Sequence, residues 1–156
     1  MADTSLSEKK IGLLIWQVSN YWQSTLRRIL KGYNLTLNEY LILDSIKRLQ
    51  KTKTEIVQNE ISIFAGIDIS VSSVTFKLLE NKKLIVRIIK KDNRKKIIEM
   101  LDSGNNLYEK INPLILEKEK NIFNKLQNET YNFTNSLKLI LGKRLRIKVK
   151  KFYDEN

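Results

Sequence analysis

Residues 58–83 read "QNEISIFAGIDISVSSVTFKLLENKK", and this stretch decides the fold. Residues 58–65 predict a short helix that ends before Gly66, because glycine readily closes a helix at its C-terminus. From residue 70 onwards, apolar side chains recur at the three- and four-residue spacing of a second helix. Two short helices joined by a tight turn that contains glycine constitute a helix-turn-helix.

The residues after this pair change their period. The runs "LIVRIIK" (84–90) and "KKIIEML" (95–101) are rich in β-branched side chains, and the polar "KDNR" (91–94) joins them. Such a pattern predicts a β-hairpin directly after the helix-turn-helix. Residues 55–57 are short and compatible with an extended segment.

Long helices are predicted on both sides of this central unit. Apolar spacing predicts a first helix from about residue 8 to 31, and Thr36 with Glu39 forms the Thr-x-x-Glu pattern of a capping box that starts a second. After the hairpin, Asp102 and Ser103 are candidate N-caps for a long helix in which Pro113 is expected to introduce a kink. Residues 133–149 have helical spacing, and a strand is the alternative for the last of them.

Basic residues dominate the charge of the chain. Its 156 residues carry 29 Lys and Arg against 17 Asp and Glu, a net charge of +12. Eight of these cations lie in residues 82–96 and seven in residues 138–151. Basic patches of this kind favour a polyanionic partner, either nucleic acid or an anionic membrane surface.

Several functional classes lack the residues they need. The chain has no Cys and no His, so it lacks thiol chemistry, the usual zinc ligands and the commonest general acid or base. With no nucleophile-elbow motif and no glycine-rich phosphate loop, we predict no catalytic residue, no cofactor and no metal site. No apolar run approaches the roughly 18 residues that span a bilayer, and no secretory signal pattern is present. We therefore expect a cytoplasmic protein with no membrane partner.

The order of these elements resembles the MarR/SlyA family of bacterial transcription regulators. Residues 59–85, "NEISIFAGIDISVSSVTFKLLENKKLI", are similar to that family's E-L-A-x-x-L-G-I pattern and the L-E-x-K-G-L-I pattern that follows it, and residues 92–94 fit its D-x-R wing motif. Val74 stands where many relatives carry an Arg, and Lys83 replaces the usual Gly before the first wing strand.

The resemblance implies a mainly α-helical fold with a small β-hairpin wing. A winged helix-turn-helix at 35–101 would bind DNA, flanked by N- and C-terminal dimerisation helices at 8–33 and 103–142. Beyond the span of the resemblance, the charge pattern predicts a basic C-terminal extension at 143–156, whose residues 143–151 either add phosphate contacts or remain a solvated tail. The implied protein is a homodimer that binds a pseudo-palindrome in double-stranded DNA, because the apolar stripes of the long helices exceed what one small domain covers.

The second helix of the helix-turn-helix is the expected reader of the major groove. If Val71, Val74, Leu78 and Leu79 face the core, five side chains point outward as candidate DNA contacts: Ser70, Ser72, Ser73, Phe76 and Lys77. Capping and solvation are the alternative roles for the serines. Phe76 could touch thymine methyl groups or pack against the wing.

The wing offers the stronger set of candidate contacts. Arg94 is expected to enter a narrow minor groove, with Asp92 holding its guanidinium in a bidentate pair. The remaining candidates are cations that would contact phosphates: Arg87, Lys90, Lys91 and Lys95.

An effector site and two other functions remain as alternatives. Five aromatic residues on the first two helices either pack in a core or wall a pocket for a small aromatic or anionic ligand: Trp16, Tyr21, Trp22, Tyr33 and Tyr40. Instead of a sequence-specific regulator, the same fold could serve as a nucleoid-type protein with little sequence specificity. It could also serve as a protein-interaction module.

Overall fold

The structure, a computed structural model, describes residues 10–91 and 94–145 of the chain. These ranges form six α-helices, one 3₁₀ segment and one β-hairpin. In chain order they are α1 (Ile11–Lys31), α2 (Leu37–Leu49), α3 (Gln58–Ala65), α4 (Ile69–Asn81), β1 (Ile85–Ile89), β2 (Lys96–Met100), α5 (Asp102–Phe123), the 3₁₀ segment Asn124–Glu129 and α6 (Thr130–Leu145). The expected order of helices and strands is confirmed.

The capping box that the sequence predicts starts α2. The Thr36 hydroxyl accepts a hydrogen bond from the Glu39 backbone N–H at 3.2 Å, and the Glu39 carboxylate accepts one from the Thr36 N–H at 3.2 Å. Both bonds satisfy backbone donors that a helix N-terminus otherwise leaves unpaired. Helix α2 therefore begins at Leu37, directly after the capping residue Thr36, as the sequence predicts.

Helix α2 runs through the centre of the hydrophobic core. Its Ile42, Leu43 and Ile46 are fully buried. Around them pack fully or almost fully buried side chains from every other element except the 3₁₀ segment and α6: Leu26 and Leu30 (α1), Ile61 (α3), Phe76 and Leu79 (α4), Ile85 (β1), Ile98 (β2), and Ile111 and Ile115 (α5). The helix-turn-helix and the hairpin thus share one core with α1 and α5.

The hairpin is antiparallel and has a third, shorter partner. Its register pairs Ile85 with Met100 at one end and Ile89 with Lys96 at the other. Val57 forms an isolated bridge to Ile97, and the Ile98 N–H donates to the Ile56 carbonyl at 2.9 Å. The extended segment expected at 55–57 is confirmed, and it ties the start of α3 to the hairpin.

The start of α5 differs from the expectation. Leu101 occupies the N-cap position, and Asp102 and Ser103 lie inside the helix, so both N-cap predictions are wrong. The Ser103 hydroxyl instead donates to the Lys83 carbonyl, which holds α5 against the segment before β1. At Gly104 the two backbones touch, because a Cβ there would lie 2.2 Å from the Leu84 carbonyl oxygen.

Helix α5 ends in a break that the sequence reasoning did not anticipate. Pro113 lies inside α5 without ending it. The 3₁₀ segment follows, and Gln127 leaves the helical conformation at φ 46° and ψ −118°. The last helix is confirmed through residue 145, whereas the predicted residues 146–149 lie outside the described ranges. In these ranges, no single helix combines the length and apolar character needed to cross a membrane.

A polar network joins α2 to α5. The Tyr108 hydroxyl donates to Asp44 Oδ1 at 2.6 Å, and the Tyr40 hydroxyl donates to Asn112 Oδ1 at 3.1 Å. The two tyrosine rings stack with their centroids 6.1 Å apart. Burial, followed by the neighbouring carboxylate of Asp44, raises the pKa of both tyrosines well above the usual value. The phenols therefore stay protonated and keep donating.

Candidate nucleic-acid interface

The turn of the helix-turn-helix is set by two residues. Gly66 ends α3 in the left-handed conformation, with φ 68°, and Asp68 caps α4 by accepting the Ser70 N–H at 2.9 Å. The axes of α3 and α4 bend by 115° across this turn, within the range typical of the motif. The geometry leaves one side of α4 free of α3.

Hydroxyl groups form much of the contact between α3 and α4. The side chains of Ser62 and Ser72 are buried and lie 2.7 Å apart, oxygen to oxygen. Thr75 is buried as well, and its hydroxyl donates to the Val71 carbonyl on its own helix at 2.9 Å. Because every one of these hydroxyls has a partner, they can be buried at little cost. Small side chains here also let the two helices approach closely.

The orientation that the sequence predicted for α4 is therefore wrong. Phe76 is fully buried, at 0% exposure, and Ser72 is buried with it, so neither can meet DNA in this structure. Val71, Val74 and Leu78, expected in the core, are exposed, with Val74 at 62%. The prediction placed the apolar side chains of α4 in the core. The side chains that are buried lie one residue further along the chain, which corresponds to a rotation of about 100° around the helix axis. Phe76, the bulkiest side chain of α4, was the signal for the correct face.

The outward surface of α4 is small and weakly polar. Along its length lie Ser70, Ser73, Val74, Lys77 and Leu78, and we call these five residues the recognition face. Ser70 and Lys77 are exposed as expected, and Ser73 is half-buried. Ile69 and Val71, at the start of α4, are exposed as well and border this face.

Two ion pairs hold the wing, which comprises β1, β2 and the turn between them. Arg87 on β1 pairs with Glu80 on α4, and Lys90 pairs with Glu55 in the segment before α3. The sequence reasoning treated both cations as free to meet phosphates and missed their carboxylate partners, which lie in other elements of the fold. The pairs bind the hairpin to α4 and to the segment that leads into α3.

The tip of the wing carries exposed cations. Lys91, Arg94 and Lys95 are all exposed, and Arg94 has a positive φ of 50°. Asp92 and Asn93 lie outside the described residues, so the pairing of Asp92 with Arg94 stays a prediction.

A cleft of about 290 Å³ brings the start of α3, α4 and the wing together. Its lining residues are Val57, Gln58 and Asn59 at the start of α3, Ile69 and Ser73 on α4, and Arg94, Lys95 and Lys96 on the wing. The sequence reasoning missed Gln58, Asn59 and Lys96, although the first backbone amides of a helix are a recognised anion-binding feature. Three cations and a helix N-terminus thus face one concave surface.

Acidic side chains beside the cleft are already occupied. Lys53 lies 2.6 Å from Glu60, and this bond is the main cause that lowers the pKa of the Glu60 carboxyl. Hydrogen bonds from the Ser70 side chain and backbone lower the pKa of Asp68. Lys53 therefore neutralises the Glu60 carboxylate, whereas Asp68 keeps its negative charge at the start of α4.

The C-terminal end of α4 is anchored to α2 by a buried charge. The Lys82 ammonium lies 2.7 Å from the carboxylate of Glu39, which is almost fully buried, and also donates to the Asn34 carbonyl at 2.6 Å. The next residue, Lys83, adopts φ 58°, the left-handed region that favours glycine. This explains physically why a glycine would suit that position.

The five aromatic residues considered for a ligand pocket have separate surroundings. Tyr40 is buried, whereas Trp16 and Tyr21 are exposed and Tyr33 is half-buried. The Trp22 indole N–H donates to Glu119 Oε1 at 2.9 Å, so it joins α1 to α5. None of the five lines the cleft described above. An effector pocket among them stays a prediction.

Known proteins share the fold of this chain. A helix-turn-helix followed by a two-stranded wing, between long N- and C-terminal helices, is the fold of MarR-family regulators. No family model matches the chain. It is 24% identical over 131 residues to YdcH of Bacillus subtilis (strain 168), described as an uncharacterized HTH-type transcriptional regulator; the match covers 83% of this chain and 88% of YdcH.

Solved structures show the same fold. MepR of S. aureus, crystallised as a complex with DNA, superposes with a TM-score of 0.75 at 22% identity, covering 87% of this chain and 97% of MepR. Apo MarR from E. coli superposes with a TM-score of 0.65 at 19% identity, covering 84% and 96%. YdcH is described as an HTH-type transcriptional regulator and MepR as a transcription regulator, which agrees with the expectation of a regulator rather than an enzyme.

Proposed function

We propose that the chain is a transcription regulator that binds double-stranded DNA sequence-specifically as a homodimer. The recognition face enters the major groove, and Arg94 on the wing enters the adjacent minor groove. Support comes first from the cleft, where Arg94, Lys95 and Lys96 lie beside α4. The fold shared with MepR, which was crystallised with DNA, supports the same reading.

The roles of the predicted contacts are revised by their surroundings. Lys77, Lys91 and Lys95 are exposed and would bind phosphates, which gives affinity without sequence information. Arg87 and Lys90 would position the wing through their carboxylate partners. A protein acting on DNA in this way works in the bacterial cytoplasm.

Homodimerisation is supported by apolar side chains that one chain leaves uncovered. The N-terminal half of α1 exposes Ile11, Leu14, Ile15, Trp16 and Val18, and α6 exposes Leu139 and Ile140. A monomeric soluble protein seldom exposes that much apolar surface. A second copy packed on these helices would place two recognition faces about 34–36 Å apart, one turn of DNA.

Replacing Arg94 tests the DNA-binding surface. Arg94→Ala should weaken binding to a selected DNA site by roughly 1–3 kcal/mol if it reads that site. Lys118→Ala removes an equal charge from an exposed position on α5 and serves as the control, with affinity near that of the unmodified protein. Fluorescence anisotropy over a salt series measures both. Equal losses for the two variants would place the interface elsewhere.

Sedimentation tests the dimer separately. Ile140→Asp puts a charge on the exposed apolar surface of α6 and should shift the protein from dimer to monomer. Lys138→Asp, on the same helix, changes an exposed residue that is already polar and should leave the dimer intact. A protein that sediments as a monomer without any substitution would contradict the dimer.

A further inference from the structure

The recognition face has few side chains that read bases by paired hydrogen bonds. Arg or Lys makes such contacts with guanine, and Asn or Gln makes them with adenine. Within α4 these types are represented by Lys77 and by Asn81, the last residue of the helix. The most exposed apolar residue on the face is Val74, at 62%, with Leu78 at 42% beside it and Ile69, at 55%, at the start of the helix.

The hydroxyl groups of α4 add little hydrogen-bonding capacity. The Ser70 hydroxyl donates to Asp68 at 2.5 Å, and the Ser72 and Thr75 hydroxyls bind carbonyls of their own helix at 3.0 and 2.9 Å. Ser73 is the one serine or threonine of α4 whose hydroxyl has no partner among the described residues. Discrimination between bases by hydrogen bonds alone would therefore rest on Ser73 and Lys77.

The charges around the recognition face indicate which kind of partner binds its apolar part. Ile69 and Ser73 share their cleft with three cations, Arg94, Lys95 and Lys96. An apolar surface bordered by these cations complements a polyanion that presents apolar groups. The major groove of DNA presents one such group, the C5-methyl of thymine, between two rows of phosphates.

We propose that this protein reads its operator through thymine methyl groups, with Val74 as the central contact and Ile69 and Leu78 beside it. The operator half-site is then rich in thymine where α4 lies. This inference rests on the proposed function, since it presumes that the recognition face enters the major groove. It assigns Val74 a direct role in specificity.

Deoxyuridine provides the test, because it differs from thymidine only by the missing methyl. A high-affinity site is first selected from a random DNA library, and the duplex is then prepared with thymidine or with deoxyuridine. Burial of one methyl group corresponds to about a fourfold change in affinity. Affinity should therefore fall about fourfold for each contacted methyl, while binding to random-sequence duplex stays unchanged. Equal affinity for the two selected duplexes would overturn the proposal.

Val74→Ser tests the direct contact. This variant removes both methyl groups of Val74 at an exposed position, so the fold is retained. It should bind the thymidine duplex more weakly and lower the thymidine-to-deoxyuridine ratio about fourfold, the share of the one methyl that Val74 contacts. An unchanged ratio in Val74→Ser would contradict the role of Val74.

Failure of this inference can be distinguished from failure of the proposed function. If the protein selects no site and binds no duplex in a salt-dependent manner, the proposed function itself is wrong. If it binds a selected site tightly but ignores the methyl groups, only the thymine reading is wrong.

Discussion

Phe76 and Val74 lie two residues apart on α4, and the structure assigns them opposite surroundings. Phe76 is at 0% exposure in the core, whereas Val74 is at 62%. Phe76→Ala should lower the free energy of unfolding by about 3–5 kcal/mol, the usual cost of emptying a buried aromatic site. Val74→Ala should change it by no more than about 0.5 kcal/mol.

Urea denaturation followed by circular dichroism measures both variants, at one protein concentration because a dimer's stability depends on it. With a slope near 2 kcal/mol per molar urea, Phe76→Ala should move the midpoint down by roughly 1.5–2.5 M. If that variant does not fold, Phe76→Leu retains most of the volume and should cost under about 1.5 kcal/mol. A large loss for Val74→Ala, with little for Phe76→Ala, would refute the orientation of α4.

Three further substitutions test other contacts in the same denaturation assay. Gly104→Ala should destabilise by about 1–3 kcal/mol, since the new Cβ would lie 2.2 Å from the carbonyl oxygen of Leu84, just before β1, while Gly12→Ala, with open space around it, should stabilise by about 0.5–1 kcal/mol; similar values would refute the close approach. Tyr108→Phe removes the hydrogen bond to Asp44 and should cost roughly 1–3 kcal/mol, with no loss expected if that bond does not form. Because the folded-state pKa of Asp68 is lowered, the ionised carboxylate stabilises the fold above about pH 4, and this stabilisation is lost as the pH falls through the lower folded pKa. Asp68→Asn should remove that part of the acid sensitivity of unfolding. An unchanged dependence of stability on pH would contradict this role of Asp68.

Local signals predicted most of the secondary structure. The capping box at Thr36, the glycine at residue 66 and the change from helical to alternating period after residue 84 each act over a few residues. Sequence alone therefore sufficed for the bounds of α2, α3 and the hairpin to within a few residues.

The errors arose where packing between elements determines which side chains are buried or paired. Ser72 and Thr75 are buried because Ser62 and the helix's own carbonyls satisfy them, which apolar patterning does not reveal. Arg87 on β1 pairs with Glu80 on α4, and this pair depends on how the hairpin packs against the helix. Val74 is apolar, and hydrophobic patterning therefore predicts that it is buried, but it is exposed. Such disagreements between sequence pattern and structure are expected at functional sites, and Val74 lies on the proposed functional surface.

The most direct test of the account compares affinities for a selected DNA site and for random duplex at the same salt concentration. A sequence-specific regulator should prefer its site by about 10³–10⁷-fold, and both affinities should fall as salt increases. A ratio near one would indicate a nucleoid-type protein without sequence choice. Absence of any salt-dependent binding would contradict DNA binding by this surface and favour a protein-interaction module.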